Sequence, residues 1–159
     1  MHTSIAPFVV PAGEGTKLET PTGAQVHIKA HTRNTDGSLT VIELRHQPRK
    51  GPPLHTHSRE DEVWYVLEGD YRFTAGDDMF RLSEGGMAFG PRGTPHCFQN
   101  ISDAPGRLLV FTTPSGVERY FEEFAELPPG PVDPQAHAAV ARASGIELVG
   151  PPLEVSDPL

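Results

Sequence analysis

Three histidines and one carboxylate, spread over residues 51–100, have the types and spacing of a metal site. The first segment reads Gly51-Pro-Pro-Leu-His55-Thr-His57-Ser-Arg-Glu60-Asp-Glu62-Val-Trp64-Tyr-Val-Leu-Glu-Gly69, and the second Gly85-Gly-Met-Ala-Phe-Gly-Pro91-Arg-Gly93-Thr-Pro-His96-Cys-Phe98-Gln-Asn100. A lone buried histidine is more often a hydrogen-bonded core residue than a ligand. Two histidines at a spacing of two are different: on a strand they point to the same side, and packing seldom needs two imidazoles there. Glu62, five residues past His57, returns to the same point if a short turn intervenes, and His96 arrives from a second hairpin. Three imidazoles and one carboxylate suit a divalent transition metal with coordination positions left open. The donors do not name the ion: Fe, Ni, Co, Mn, Cu and Zn all accept nitrogen and oxygen ligands.

The spacings resemble those of the cupin superfamily. Its second motif, G-x5-P-x-G-x2-H-x3-N, is matched by Gly85, Pro91, Gly93, His96 and Asn100. Its first, G-x5-H-x-H-x3,4-E-x6-G, is matched by His55, His57, Glu62 and Gly69. The opening glycine departs, because Gly51 lies only four residues before His55, and the length of the turn before that strand is left open. Glu60 competes with Glu62 for the carboxylate role. It belongs to the acidic run Glu60-Asp61-Glu62 and reads as solvated, whereas Glu62 alone has the six-residue spacing to Gly69. The resemblance therefore implies His55, His57, Glu62 and His96 as ligands of one metal ion, in an antiparallel double-sheet β-barrel of jelly-roll type.

The elements that must position these residues are legible between the turns. Seventeen prolines and sixteen glycines punctuate the chain, and the periodicity between them is mostly two. Strands are expected at Gln25–Lys29, Leu39–Leu44, Glu62–Leu67, Tyr71–Ala75, Met79–Leu82, Met87–Phe89, His96–Phe98 and Leu108–Thr113, with a hairpin turn at Gly76-Asp77-Asp78. Short strands at this spacing make an all-β sandwich or barrel. The two-motif unit is not repeated, so we expect one cupin domain over residues 1–159, with the barrel at about 20–114 and a helical tail at about 115–159.

In the tail the period changes. Ser115 with Glu118 three residues on reads as a capping box, and Val117, Phe121, Phe124 and Ala125 then share one helical face. Asp133-Pro134 opens a second helix that Gly145 stops, and Ile146–Val149 is a final edge strand. The aromatic face either docks on the barrel or a partner subunit, or closes the mouth of a cavity as a lid.

Composition excludes several function classes. Thirteen basic against twenty-one acidic residues give a net charge of −8, which disfavours nucleic acid and anionic lipid. No stretch approaches the about 20 apolar residues of a membrane helix. The start, Met1 to Pro11, has no positive region followed by a long apolar run, so the expected location is cytoplasmic. Cys97 is the single cysteine and, one residue along the strand from His96, should face away from the metal.

Strand phase places Glu62, Trp64 and Val66 on one face, and His96, Phe98 and Asn100 on another. Trp64 and Phe98 are thus the candidate substrate-pocket residues, in an apolar cavity suited to a flat organic molecule. Glu62 has a second candidate role as general base toward an acidic hydroxyl. Among cupins, the ligand set and the segment Val149-Gly150-Pro151-Pro152-Leu153 resemble the quercetinase-like group. That resemblance implies a dioxygenase that opens a flavonol ring and releases carbon monoxide, with a small organic substrate and dioxygen as partners and a homodimer as assembly. The candidate dimer contacts are Phe8–Val10 and Ile146–Val149. Non-oxidative metal enzymes (isomerase, cyclase, decarboxylase) and non-catalytic binding proteins share the fold and stay open as alternatives.

Overall fold

A computed structural model describes residues 5–159. The elements are β1 (Thr16–Glu19), β2 (Gln25–Ala30), a short helical turn α1 (Thr32–Thr35), β3 (Thr40–His46), β4 (Pro53–His57), β5 (Asp61–Glu68), β6 (Tyr71–Ala75), β7 (Asp78–Leu82), β8 (Met87–Gly90), β9 (His96–Asn100), β10 (Gly106–Thr113), α2 (Glu118–Ala125), α3 (Pro134–Ala143), β11 (Ile146–Pro152) and α4 (Leu153–Ser156). One antiparallel sheet runs β1-β2-β3-β10-β5-β8 and the other β11-β4-β9-β6-β7. The all-β, two-sheet architecture expected from the alternating runs is the one observed. Among the described residues, no helix is long and apolar enough to cross a membrane.

Register explains how the six-stranded sheet carries both the core and part of the site. Val26, Leu44, Leu108 and Val66 lie in one row across four strands, and Ile28, Ile42, Val110 and Trp64 in the next inward row. All eight are buried, each contributing about 1.5–3 kcal/mol. The following inward row is polar: Thr40, Thr112, Glu62 and Gly90. Glu62 therefore marks where the apolar filling of the barrel ends. From the facing sheet, Tyr71, Phe73 and Phe98 complete the core.

The tail contributes a strand as well as helices. β11 extends from Ile146 to Pro152, beyond the expected Val149, and forms the edge of the five-stranded sheet beside β4. α3 starts and stops where the sequence indicates: Asp133 accepts a hydrogen bond from the Gln135 N–H at 3.1 Å, and Gly145 takes φ +74°. The capping box at Ser115 is not formed. α2 begins at Glu118, with Val117 at the cap and no side-chain cap bond. Glu118 instead turns inward, where its carboxylate accepts hydrogen bonds from the Thr32 and Gly116 N–H groups and the Thr32 and Thr40 hydroxyls. Four donors on neighbouring segments outcompete one helix terminus for the same carboxylate.

The outer face of the six-stranded sheet is apolar at one end, over β10, β5 and β8. Val63 lies opposite Phe89 and Phe111, and Tyr65 opposite Met87, with Tyr65, Met87 and Phe89 all exposed. Phe8 and Val9 are also exposed and lie outside any strand.

Candidate metal centre

Three elements deliver the four candidate ligands. β4 supplies His55 and His57, a bend at Ser58–Arg59 leads into β5 with Glu62, and β9 opens with His96, which pairs directly with His55 across the sheet. One donor atom from each residue lies within 4.8 Å of the other three. Glu62 Oε2 is 3.0 Å from His57 Nε2 and 3.1 Å from His96 Nε2. The rings of His57 and His96 stack at 5.3 Å, while His55 meets His96 edge-on at 4.5 Å.

Hydrogen bonds fix which nitrogen faces the centre. His55 Nδ1–H donates to the Pro53 carbonyl at 2.7 Å, and His96 Nδ1–H to the Thr94 carbonyl at 2.9 Å. In each ring Nε2 is left as the free donor. Burial, reinforced by the His96 and His57 charges, pushes His55 down to about 3, so it is held neutral as a metal ligand must be. Burial alone would lower His57 too, but the Glu62 and Glu60 carboxylates together outweigh it and raise His57 to about 9. Burial would likewise raise Glu62, yet His57 and His96 hold it well below the usual carboxylate range. Buried nitrogen and oxygen donors converging on one point, with two ring orientations locked from behind, fit a divalent transition ion.

The motif residues around the ligands have physical tasks. Asn100 Nδ2 donates to the Ala104 carbonyl at 2.8 Å and its Oδ1 accepts from the Ser102 N–H, tying off the end of β9. The Gly93 N–H donates to the His57 carbonyl at 2.7 Å, anchoring the Pro91–Gly93 turn beside β4. Arg92 stands at the rim, paired with Asp61 at 3.0 Å. At the place of the first motif's opening glycine stands Arg49, which holds the left-handed conformation itself (φ +65°). The turn before β4 thus keeps its length and a glycine-like backbone. Gly51 is needed for another reason: a Cβ there would lie 1.8 Å from the Phe98 carbonyl oxygen.

A cavity of about 400 Å³ opens over the cluster, with His55, His57 and Glu62 in its lining. Phe98 lines it, in line with strand phase. Trp64 does not. Its ring lies behind His96 at 4.9 Å and beside Phe73 at 5.6 Å, only 2 % exposed, so the right face of β5 leads into the core below the cavity. Gly90 leaves room for that ring. The far wall comes from the tail: Val117, Tyr120, Phe121 and Phe124 before and on α2, and His137 on α3. The docking and covering roles weighed for the aromatic face are therefore combined in one set of residues. Tyr120 Oη lies 2.9 Å from His137 Nε2, and His137 stacks on Phe124 at 4.3 Å. His46, also in the lining, is pushed down to about 4 by burial and is neutral.

Two residues of the site region escape sequence reasoning. His46 sits in an ordinary alternating strand with no motif to mark it. Glu60, read as solvated because of its acidic run, is 1 % exposed, with Oε2 3.4 Å from His57 Nδ1. Glu60 lies two residues before Glu62 and so in the inward phase of β5, which the acidic run obscures. Cys97 is buried, on the face of β9 away from the ligands, beside Thr74 Oγ1 at 3.2 Å.

Comparison with known proteins agrees with this geometry. Residues 42–112 match the cupin domain model. Over that segment the chain is similar to a cupin domain. Two uncharacterised proteins are similar to this chain: one of Methanocaldococcus jannaschii, 33% identical over 61 residues (38% of this chain, 49% of the relative), and one of Streptomyces coelicolor, 33% identical over 55 residues (35% and 52%). The chain thus spans about half the length of the curated relatives it matches. Among solved structures, the chain resembles KdgF of a Halomonas species (TM-score 0.59, 21% identity, 68% of this chain and 94% of that one). It also resembles a predicted oxalate decarboxylase of Thermotoga maritima (0.62, 18%, 67% and 98%). A cupin-superfamily sugar phosphate isomerase of Silicibacter pomeroyi is similar too (0.57, 20%, 68% and 76%). At these identities the likeness is one of fold.

Proposed function

We propose that this chain is a metal-dependent enzyme of cupin type acting on a small, flat phenolic or enolic molecule, and that the reaction is a dioxygenase ring opening of flavonol type. One observation carries the reading: a three-histidine, one-glutamate cluster lies in an apolar cavity of about 400 Å³. That volume is within the range of pockets for ligands of two or three rings. In the lining Lys50 is the one Lys or Arg, and it lies 3.3 Å from Glu154, so a sugar phosphate has no free cation to meet it.

His55, His57, Glu62 and His96 would hold the ion, which when bound supplies Lewis acidity toward a substrate oxygen and, if redox-active, coupling to dioxygen. The chain's own residues do the rest. Phe98, Phe121 and Phe124 bind the ring faces and exclude water. Glu62, which lines the cavity, would accept the proton of an acidic hydroxyl when its bond to the ion loosens. In balance, both atoms of dioxygen enter the organic products, two ring carbon bonds break and one carbon leaves as carbon monoxide.

The test is dioxygen uptake by metal-loaded protein against a flavonol and phenol panel, with Glu62→Gln in parallel. Uptake with carbon monoxide release by the unmodified protein, and activity per bound metal lower by roughly 10²–10⁴ in the variant, is the expected result. Turnover of a substrate without oxygen would replace the dioxygenase reading by an isomerase, cyclase or decarboxylase. Binding without turnover would make the chain a binding protein.

A further inference from the structure

Each imidazole of the cluster has an outer nitrogen that must be satisfied, and the three solve this differently. His55 and His96 use backbone carbonyls two residues before them, Pro53 and Thr94. Such partners come with the strand and carry no charge. His57 has no carbonyl at its Nδ1; what lies there is the Glu60 carboxylate, at 3.4 Å.

Glu60 is not where an idle carboxylate would be. It is 1 % exposed, and neither carboxylate oxygen makes a hydrogen bond, the 3.4 Å contact to His57 Nδ1 being its one ion-pair partner among the described residues. A buried carboxylate with so little compensation is costly, and solvent would take it if the backbone allowed. The backbone does not allow it. Ser58 is clamped by two hydrogen bonds to the Gly145 carbonyl, one from its N–H and one from its hydroxyl, both 2.9 Å. The C-terminal segment at Gly145 thus holds the bend that aims Glu60 at His57.

We propose that Glu60 is a positioning residue of the metal centre, accepting the Nδ1–H of His57 so that Nε2 is presented to the ion. The inference rests on the metal-binding reading above and adds a residue to it. Carboxylate partners of this kind orient a ligand ring and raise its basicity, and their loss commonly lowers metal affinity by about 10–100-fold. It follows that the C-terminal region supports the centre through Glu60 as well as walling the cavity.

The experiment uses the full chain and Zn²⁺ or Co²⁺ alone, with affinity read by competition against a chromophoric chelator. Glu60→Leu should bind about 10–100-fold more weakly than the unmodified chain. Glu60→Gln, whose amide oxygen still accepts from Nδ1–H, should recover part of that loss. Nitrogen-15 spectra of the zinc-loaded histidine rings provide the readout that mere destabilisation would not move. All three ligands should be Nδ1-protonated in the unmodified chain, and only His57 should lose that signature in the leucine variant. If the leucine variant does not fold, the glutamine variant carries the test, with a smaller loss of affinity and a shifted His57 Nδ1 signal expected. Affinity within twofold of the unmodified chain, or an unchanged His57 signal, overturns the proposal. Failure of the unmodified chain to bind either ion overturns the metal reading as well, so the two failures are told apart.

Discussion

Replacing Glu118 with Gln should cost the protein stability in a way that depends on pH, and the size follows from the burial of this carboxylate. Burial alone would raise its pKa, but hydrogen bonds from Thr32 and Thr40, helped by backbone N–H groups, hold it down at about 2 against an ordinary 4.5. That gap is worth about 3 kcal/mol as an upper figure, and we expect about 2–3 kcal/mol. An amide cannot replace the carboxylate, because one of its two ends is a donor while the Thr32 and Gly116 N–H groups can only donate. The sign is that of a depressed acid. The stabilisation is complete above pH 4.5, where both folded and unfolded chains are ionised, and is lost as pH falls from 4.5 through about 2. Urea denaturation at pH 7, 4.5, 3 and 2 would measure it, read by the fluorescence of Trp64, the single tryptophan and a buried one. At pH 7 the variant should be about 2–3 kcal/mol less stable, with the deficit shrinking toward pH 2. Because Glu118 begins the helix that carries Phe121 and Phe124, ligand affinity should fall with it. No deficit at pH 7, or one constant down to pH 2, would refute the reasoning.

Gly51→Ala should be more disruptive than its position before a strand suggests. The new Cβ would sit 1.8 Å from the Phe98 oxygen, and relief requires breaking the bonds between Arg49 N–H and the Asn100 carbonyl and between Asn100 N–H and the Lys50 carbonyl. A loss of about 3 kcal/mol in urea denaturation and reduced metal content are expected, and a change under about 0.5 kcal/mol would count against the packing described. For assembly we expect a homodimer, because the outer face carrying Tyr65, Met87 and Phe89 and the edge strand β11 are both uncovered in one chain. Light scattering at micromolar concentration should give twice 17.3 kDa, and the single mass would contradict it.

Most of this architecture could be read from the residues because strand alternation is a local property. Tyr71–Ala75 was delimited to the residue, and the inward phase of Trp64 and Phe98 came out right. Which part of the interior each inward residue reaches is not local. Phe98 meets the cavity and Trp64 fills the core behind His96, a difference set by which sheet each strand joins. Glu60 reads as solvated because it stands in a run of three acidic residues, although the phase of Glu62 and Trp64 points it inward; the Gly145 carbonyl, bonded twice by Ser58, holds the bend there. Ser115 and Glu118 have the spacing of a capping box, but Thr32 and Thr40, more than 70 residues away in the chain, claim the carboxylate. The four candidate ligands were legible because their spacing is tied to two strands and their turns, while the wall from α2 and α3 depends on how the tail folds back.

The central claim, that these four side chains make one metal centre, is tested most directly by titrating metal-free protein with Co²⁺ while following its visible absorption. The account predicts saturation at one ion per chain, and loss or marked weakening of that binding in each of His55→Ala, His57→Ala, Glu62→Ala and His96→Ala. Absence of binding by the unmodified chain, or binding that survives all four substitutions unchanged, would contradict it.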